Sequence, residues 1–275
     1  MLIVMLGDIV GQPGMLAVEQ QVPVIRKRWK PDIIIANAEN AADGSGLTPV
    51  LYERLRRAGV DGVTLGDHVY RKMQIARTLE RDDFLIRPAN LPRSAKGRTW
   101  MQLRARSDGR DTPVYVLTVL GRLYSNLPVN NPFETVDATL GELPELNPIT
   151  IVEVHAEATS EKLALGNYLD GRVAAVFGTH THVPTADAKI FPRGTAYITD
   201  LGMCGPYDSI IGRRIDRVIK HLTTSMPAPF DVAVGDPRVC GVAVEIDTQR
   251  RVATDIERIE LRANPHEPPF TSSQG

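Results

Sequence analysis

The sequence predicts an α/β fold. Short apolar runs recur along the chain, each closes on Gly, Asp, Asn or His, and polar segments of helical periodicity separate them. Leu2–Leu6 is the first strand, followed by Gly7-Asp8. Residues 15–29 carry apolar residues at helical spacing and are entered through Gly11-Gln12-Pro13-Gly14. Residues 33–36 are the second strand, followed by Asn37-Ala38-Glu39-Asn40. Residues 49–57 read as a helix closed by Gly59, since a glycine accepts the left-handed backbone that ends a helix. Residues 62–65 are the third strand, followed by Gly66-Asp67-His68, and residues 72–80 are the next helix.

Residues 100–106 and 114–120 read as strands around the turn Ser107-Asp108-Gly109, and 126–132 as a Pro/Asn surface loop. Residues 149–154 form another buried strand that runs into His155. Residues 160–165 form a short helix with Ser and Thr at its start. Residues 173–177 are a strand ending in Gly178-Thr179-His180-Thr181-His182, and 196–199 a strand ending in Asp200. Residues 216–222 have helical character, and 239–246 and 252–261 read as a closing hairpin. No linker divides the chain, so a single domain is expected over 1–264, with a frayed Pro/Ser-rich tail over 265–275.

Composition bounds the function. With 275 residues, 43% hydrophobic and 24% charged, the chain is long enough to bury a full core. A formal net charge of -1 gives no global basic field, which argues against duplex nucleic-acid binding. The two cysteines, Cys204 and Cys240, do not make a disulfide framework, which fits a reducing, cytoplasmic setting. The apolar N-terminus is too short for a signal peptide, and no run approaches the ~18 apolar residues of a membrane span.

The chemistry lies at the strand ends. Asp8, Glu39-Asn40, Asp67-His68, His155 and His180-Thr181-His182 each follow an apolar run, and ligands of α/β sheets gather at the carboxyl ends of strands. Four of the six histidines fall in this set; His221 and His266 do not. Taken singly, each has a structural reading as a turn cap, a loop pair, a helix start or a core histidine. Taken together and in this order, they point to a metal centre. Carboxylates, an amide and imidazoles suit borderline-hard divalent cations. They are too many for one tetrahedral zinc, whereas two cations about 3.5–4 Å apart and bridged by a carboxylate would use them all.

The segments Gly7-Asp8-Ile9-Val10-Gly11, Ala38-Glu39-Asn40-Ala41, Gly66-Asp67-His68, the stretch from Val154 to Lys162, and Gly178-Thr179-His180-Thr181-His182-Val183 resemble the YmdB-like branch of the calcineurin-type metallophosphoesterases. The resemblance runs from Met1 to about Leu261. It implies a four-layer αββα sandwich, two mixed sheets packed face to face with helices outside. It also implies a pair of transition metals, iron first, then manganese, with zinc also suited. Carried over by position, Asp8, Asn40 and His182 would hold one metal, Asp67, His155 and His180 the other, and Glu39 would bridge them. His68 would be the general acid. The implied activity is a phosphodiesterase on 2′,3′-cyclic nucleotides or RNA ends, and the implied assembly a homo-oligomer.

The chain departs from the wider superfamily twice. The first motif has Asp8-Ile9-Val10 where Asp-x-His is common, and Asn40 fills the missing ligand place. The third has Asp67 where Asn is usual, which adds negative charge and should tighten metal binding while lowering Lewis acidity. The expected reaction is attack of a metal-bridging hydroxide on phosphorus, with His68 protonating the departing oxygen. A phosphomonoesterase or nucleotidase on the same metals, and a regulatory phospho-ligand-binding protein with little turnover, are the competing readings. A nucleotide-binding dehydrogenase is disfavoured because 7–14 lacks the required glycine fingerprint. Glu157, Ser160, Lys162, Asp170 and Asp200 read equally as groups orienting the histidines or as caps and surface charges. Cys204 and the basic stretch 26–30 read as structural and as a solvated helix end.

Overall fold

The structure, a computed structural model, describes residues 1–107, 110–125 and 127–267. The elements run β1 (Leu2–Leu6), β2 (Asp8–Ile9), α1 (Gly11–Trp29), β3 (Ile33–Asn37), α2 (Pro49–Ala58), β4 (Gly62–Thr64), α3 (Ala76–Arg81), β5 (Leu85–Ile86), β6 (Trp100–Ser107) and β7 (Arg110–Leu120). They continue with α4 (Pro132–Glu142), β8 (Ile149–His155), α5 (Thr159–Leu169), β9 (Ala175–Thr179), β10 (Lys189–Ile190), β11 (Ala196–Ile198), β12 (Met203–Pro206), α6 (Ile215–Thr224), β13 (Pro237–Asp247) and β14 (Val252–Arg262).

One sheet has the order β2-β12-β13-β1-β3-β4-β5, with β14 also paired to β13; the other has the order β10-β11-β9-β8-β7-β6. Both are mixed: β1, β3, β4 and β5 are parallel, as are β7, β8, β9 and β11, while β13, β6 and β10 run antiparallel to their neighbours. Side chains alternate across each sheet, so one strand feeds two layers. Ile3 and Met5 of β1 point inward and pack with Val116, Ile151 and Phe177 of the facing sheet. Val4 and Leu6 point outward and pack with Val18 and Ile25 of α1 and Leu55 of α2. On the other sheet, Val119, Val152 and Val154 point outward against Val136 of α4 and Leu165 of α5. Three buried apolar clusters thus separate four layers, the αββα sandwich.

Several elements differ from the sequence reading. Helix α1 starts at Gly11, because Pro13 lies in its first turn, where its missing N–H costs no hydrogen bond. The predicted helix over 72–80 divides into a 3-10 turn, Met73–Ile75, and α3. Pro132 closes no loop; it opens α4, capped by the Asn131 side chain accepting from the Phe133 N–H. Asp108, Gly109, Asn126 and the part of the predicted tail from 268 onward lie outside the described residues.

Candidate metal centre

The carboxyl ends of β1, β3 and β4 in one sheet and of β8 and β9 in the other meet at one place. Contacts among Asp8, Glu39, Asn40, Asp67, His68, His155, His180 and His182 link all eight side chains or their backbones there. The sequence reading assigned them to one rim; the structure distributes them over two facing sheets, which surrounds the site on both sides. The turn after β3 presents Glu39, whose N–H donates to Asn37 Oδ1 at 2.9 Å. The turn after β4 needs Gly66, since a Cβ there would collide with the Glu39 carboxylate and the His155 ring. His180 and His182 follow β9 with φ of 94° and 65°, a left-handed backbone unusual for non-glycine residues.

One ligand atom from each of Glu39, Asp67, His155 and His180 lies within 4.8 Å of the others. His155 Nε2 is 3.0 Å from Asp67 Oδ1 and 3.3 Å from Glu39 Oε1, and His180 Nδ1 is 3.1 Å from His155 Nε2. Beside this group, Asn40 Nδ2 and His182 Nε2 are 3.3 Å apart. Asp8 is fully buried; its Oδ2 accepts from the His180 N–H at 3.0 Å, while its Oδ1 has no hydrogen-bond partner. A buried carboxylate oxygen with no donor is costly unless a cation completes it. The donor set of carboxylates and imidazoles suits divalent cations, and the orphaned Asp8 oxygen fits one.

The electrostatics carry the same signature. Burial pushes Asp8 up to about 7, against the pull of His155. Burial opposes charge on His155, yet Glu39, Asp67 and Asp8 outweigh it and hold the ring well above its usual value. Burial likewise opposes ionisation of Glu39 and Asp67, but His155 holds Glu39 low, and hydrogen bonds from His155 and His180 hold Asp67 low. Burial pushes His182 down, towards the neutral ring that ligates metals. A ring proton on His155 therefore supplies positive charge where a cation would.

The residues behind the site sort the open assignments. Lys162 and Asp200 are both fully buried and paired at 2.7 Å. Asp200 Oδ2 also accepts from Thr181 Oγ1 at 2.7 Å and from its N–H at 3.2 Å, pinning the turn between the two histidines. Glu157 lies 3.3 Å from His180 Nε2. Asp170 instead accepts from the N–H groups of Arg193 and Thr195, before β11 and at the far end from the site. Ser160 lines a neighbouring surface hollow with Tyr124 and His180. Cys204 is buried, and its thiol donates to the Cys240 carbonyl. The sequence reading missed Asn37, Thr118, Glu153 and Thr179, a polar cluster beneath the histidines; its signal was the charged Glu153 inside an otherwise apolar run.

The profile of the YmdB-like protein family matches residues 4–259. The chain belongs to the YmdB-like family. This YmdB-like protein is 43% identical to a 2′,3′-cyclic-nucleotide 2′-phosphodiesterase of Bacillus subtilis (strain 168), over 94% of its own length and 96% of the relative's. Two solved structures superpose closely. A hypothetical protein of Thermus thermophilus has a TM-score of 0.88 and 39% identity, covering 96% of this chain and 100% of that one. A novel phosphatase of Mycoplasma pneumoniae has a TM-score of 0.87 and 32% identity, covering 95% and 93%.

Proposed function

We propose that this YmdB-like protein is a dinuclear metal-dependent phosphodiesterase acting on 2′,3′-cyclic nucleotides. The observation that carries the proposal is the convergence of Glu39, Asp67, His155 and His180 on one point, beside an Asp8 oxygen with no donor. The activity of the Bacillus subtilis relative selects the substrate. Asp67, His155 and His180 would hold one cation, Asp8, Asn40 and His182 the other, with Glu39 between them. Iron, then manganese, suits this set best, with zinc acceptable. When bound, two such cations neutralise the phosphate and acidify a water.

The chain's own groups do the rest. His68 donates its N–H to Glu39 Oε2 at 3.0 Å, and its Nδ1 lies 2.8 Å from Asn40 Oδ1. An amide ligates through oxygen, and Asn40 Oδ1 has two lone pairs, one for a cation and one to accept the His68 Nδ1–H. With Nδ1–H so held, the acid form of His68 is the imidazolium, which gives its Nε2 proton to the leaving oxygen and becomes a neutral ring. A cavity of about 220 Å³ beside His155 and His180, lined also by Arg71, Tyr124 and Glu157, gives the nucleoside a place. Arg71 supplies positive charge there, and Tyr124, 85% exposed, an aromatic face for a base.

The proposal extends to a homo-oligomer. None of the ten residues of α6 is buried, and Ile215, Ile219 and Leu222 recur on one exposed face, continued by Met226 and Phe230. A face of this kind is what an interface covers. The two buried free thiols, Cys204 and Cys240, suit the cytoplasm, and among the described residues no helix is long and apolar enough to cross a membrane. The test is metal content with turnover of 2′,3′-cyclic AMP, for wild type and Glu39→Ala. About two cations per chain and phosphodiester cleavage, both lost in the variant, are expected. A wild type that binds no metal even after incubation with manganese or iron would leave a binding role without catalysis as the better reading.

A further inference from the structure

Four polar side chains occupy the space between the two sheets directly beneath the site, where apolar packing would be expected. Glu153 of β8 is fully buried and faces inward. Its Oε1 accepts from Asn37 Nδ2 at 2.6 Å and from Thr179 Oγ1 at 2.6 Å, and its Oε2 accepts from Thr118 Oγ1 at 2.9 Å. The donors come from β3, β9 and β7, so one carboxylate ties both sheets together at their carboxyl ends. Burying a charge-bearing group among strands is unfavourable unless every acceptor is used, and here both oxygens are.

The network has two outlets, and each ends on a residue of the proposed metal centre. Asn37, held by Glu153 through its NH₂, turns its Oδ1 to the Glu39 N–H at 2.9 Å. Thr179 Oγ1 lies 2.9 Å from His155 Nδ1. A hydroxyl has a single proton, and Thr179 gives its own to Glu153. It can therefore only accept from His155, so Nδ1 of that ring carries hydrogen, and Nε2, which shares a proton with Asp67 and Glu39 when metal is absent, is the nitrogen left to offer a lone pair to a cation.

We propose that Glu153 is a positioning residue that acts through Thr179 to fix the tautomer of His155 and through Asn37 to fix the backbone of Glu39. The proposal rests on the metal-centre reading above and adds the part that makes His155 a ligand through one defined nitrogen. Outer partners of this type are worth about 10–100-fold in metal affinity.

The test uses the full chain with cobalt(II) as the probe, in wild type, Thr179→Val and Thr179→Ser. Valine keeps the shape of threonine without the hydroxyl, and serine restores the hydroxyl. Cobalt affinity is measured by competition with a chelator, and the exchangeable ring N–H of His155 by its paramagnetically shifted proton resonance. In wild type and Thr179→Ser that proton should exchange slowly with D₂O. In Thr179→Val it should exchange fast or vanish, with affinity reduced about 10–100-fold. A variant that merely loosened packing would not be rescued by serine. Equal affinity and equal exchange in wild type and Thr179→Val would overturn the proposal and leave the metal centre standing. Absence of cobalt binding by wild type would overturn the metal centre, and the proposal with it.

Discussion

His155 Nε2 and His180 Nδ1 face each other across 3.1 Å, and Asp67 Oδ1 lies 3.0 Å from the first and 3.5 Å from the second. Two ring nitrogens and a carboxylate oxygen directed at one point compete for a single positive charge. Without metal that charge is a proton, which is why His155 is held well above its ordinary value.

Metal affinity should therefore rise with pH in two stages. Asp8, raised to about 7, holds a proton below that pH, and His155 holds one to higher pH. A cation must displace both, so affinity should climb by up to about a hundredfold per pH unit below pH 7 and about tenfold above it. The stability of the metal-free protein follows the same groups. A His with a raised folded value stabilises below its ordinary pKa, and that contribution is lost as pH rises through the folded one. Glu39 and Asp67 are held low and stay ionised throughout this window. Isothermal titration of manganese between pH 6 and 8.5, with melting of the metal-free form, checks this; affinity independent of pH would count against it.

His68→Ala should retain metal, because the His68 ring is not among the four groups whose ligand atoms converge, and the bond from its backbone N–H to Glu39 survives the substitution. Turnover of a substrate with a poor leaving group should fall about 10²–10⁴-fold, and that of a nitrophenyl ester far less. Equal losses on both would remove His68 as the acid.

Lys162→Met should destabilise the fold by about 3–5 kcal/mol, the loss expected when one partner of a buried ion pair is removed. Asp200 would keep its bonds from Thr181 and Gly202 but lose its counter-charge. Urea denaturation reads the loss. A shift below about 1 kcal/mol, the size of an exposed pair, would show that the pair is not buried in solution.

Leu222→Glu on α6 should shift the sedimentation coefficient to that of a smaller species while leaving turnover per chain at saturating substrate within about twofold, since single rim charges act mainly on association. Leu222 is 74% exposed, so the substitution disturbs no core. An unchanged distribution of species would locate the interface elsewhere.

Much of the fold was legible. Buried parallel strands read as apolar runs, and the Gly, Asp, Asn and His residues that end β1, β3, β4, β8 and β9 marked both strand ends and site. Helix α4 was not, because Thr135, Val136, Thr139 and Gly141 have low helix propensity and its cap, Asn131-Pro132, also reads as a turn. The insertion of β13 between β12 and β1 was hidden too, since pairing across that distance leaves no local pattern. Glu153 stood out as a charge in an apolar strand, but its partners were hidden for a related reason. Glu153 sits between Val152 and Val154, and its partners lie 26 to 116 residues away. Only the packing of one sheet on the other brings them together.

The left-handed backbone at His180 and His182 has a consequence for the history of the chain. Each such residue disfavours the folded state by about 1–3 kcal/mol. Glycine at either position would relax the turn, so selection for heat resistance alone should drift towards it. A survey of stabilised variants should find His180→Gly or His182→Gly enriched whenever turnover is not also demanded, and absent whenever it is. The two histidines thus mark where robustness and reactivity pull the sequence in opposite directions.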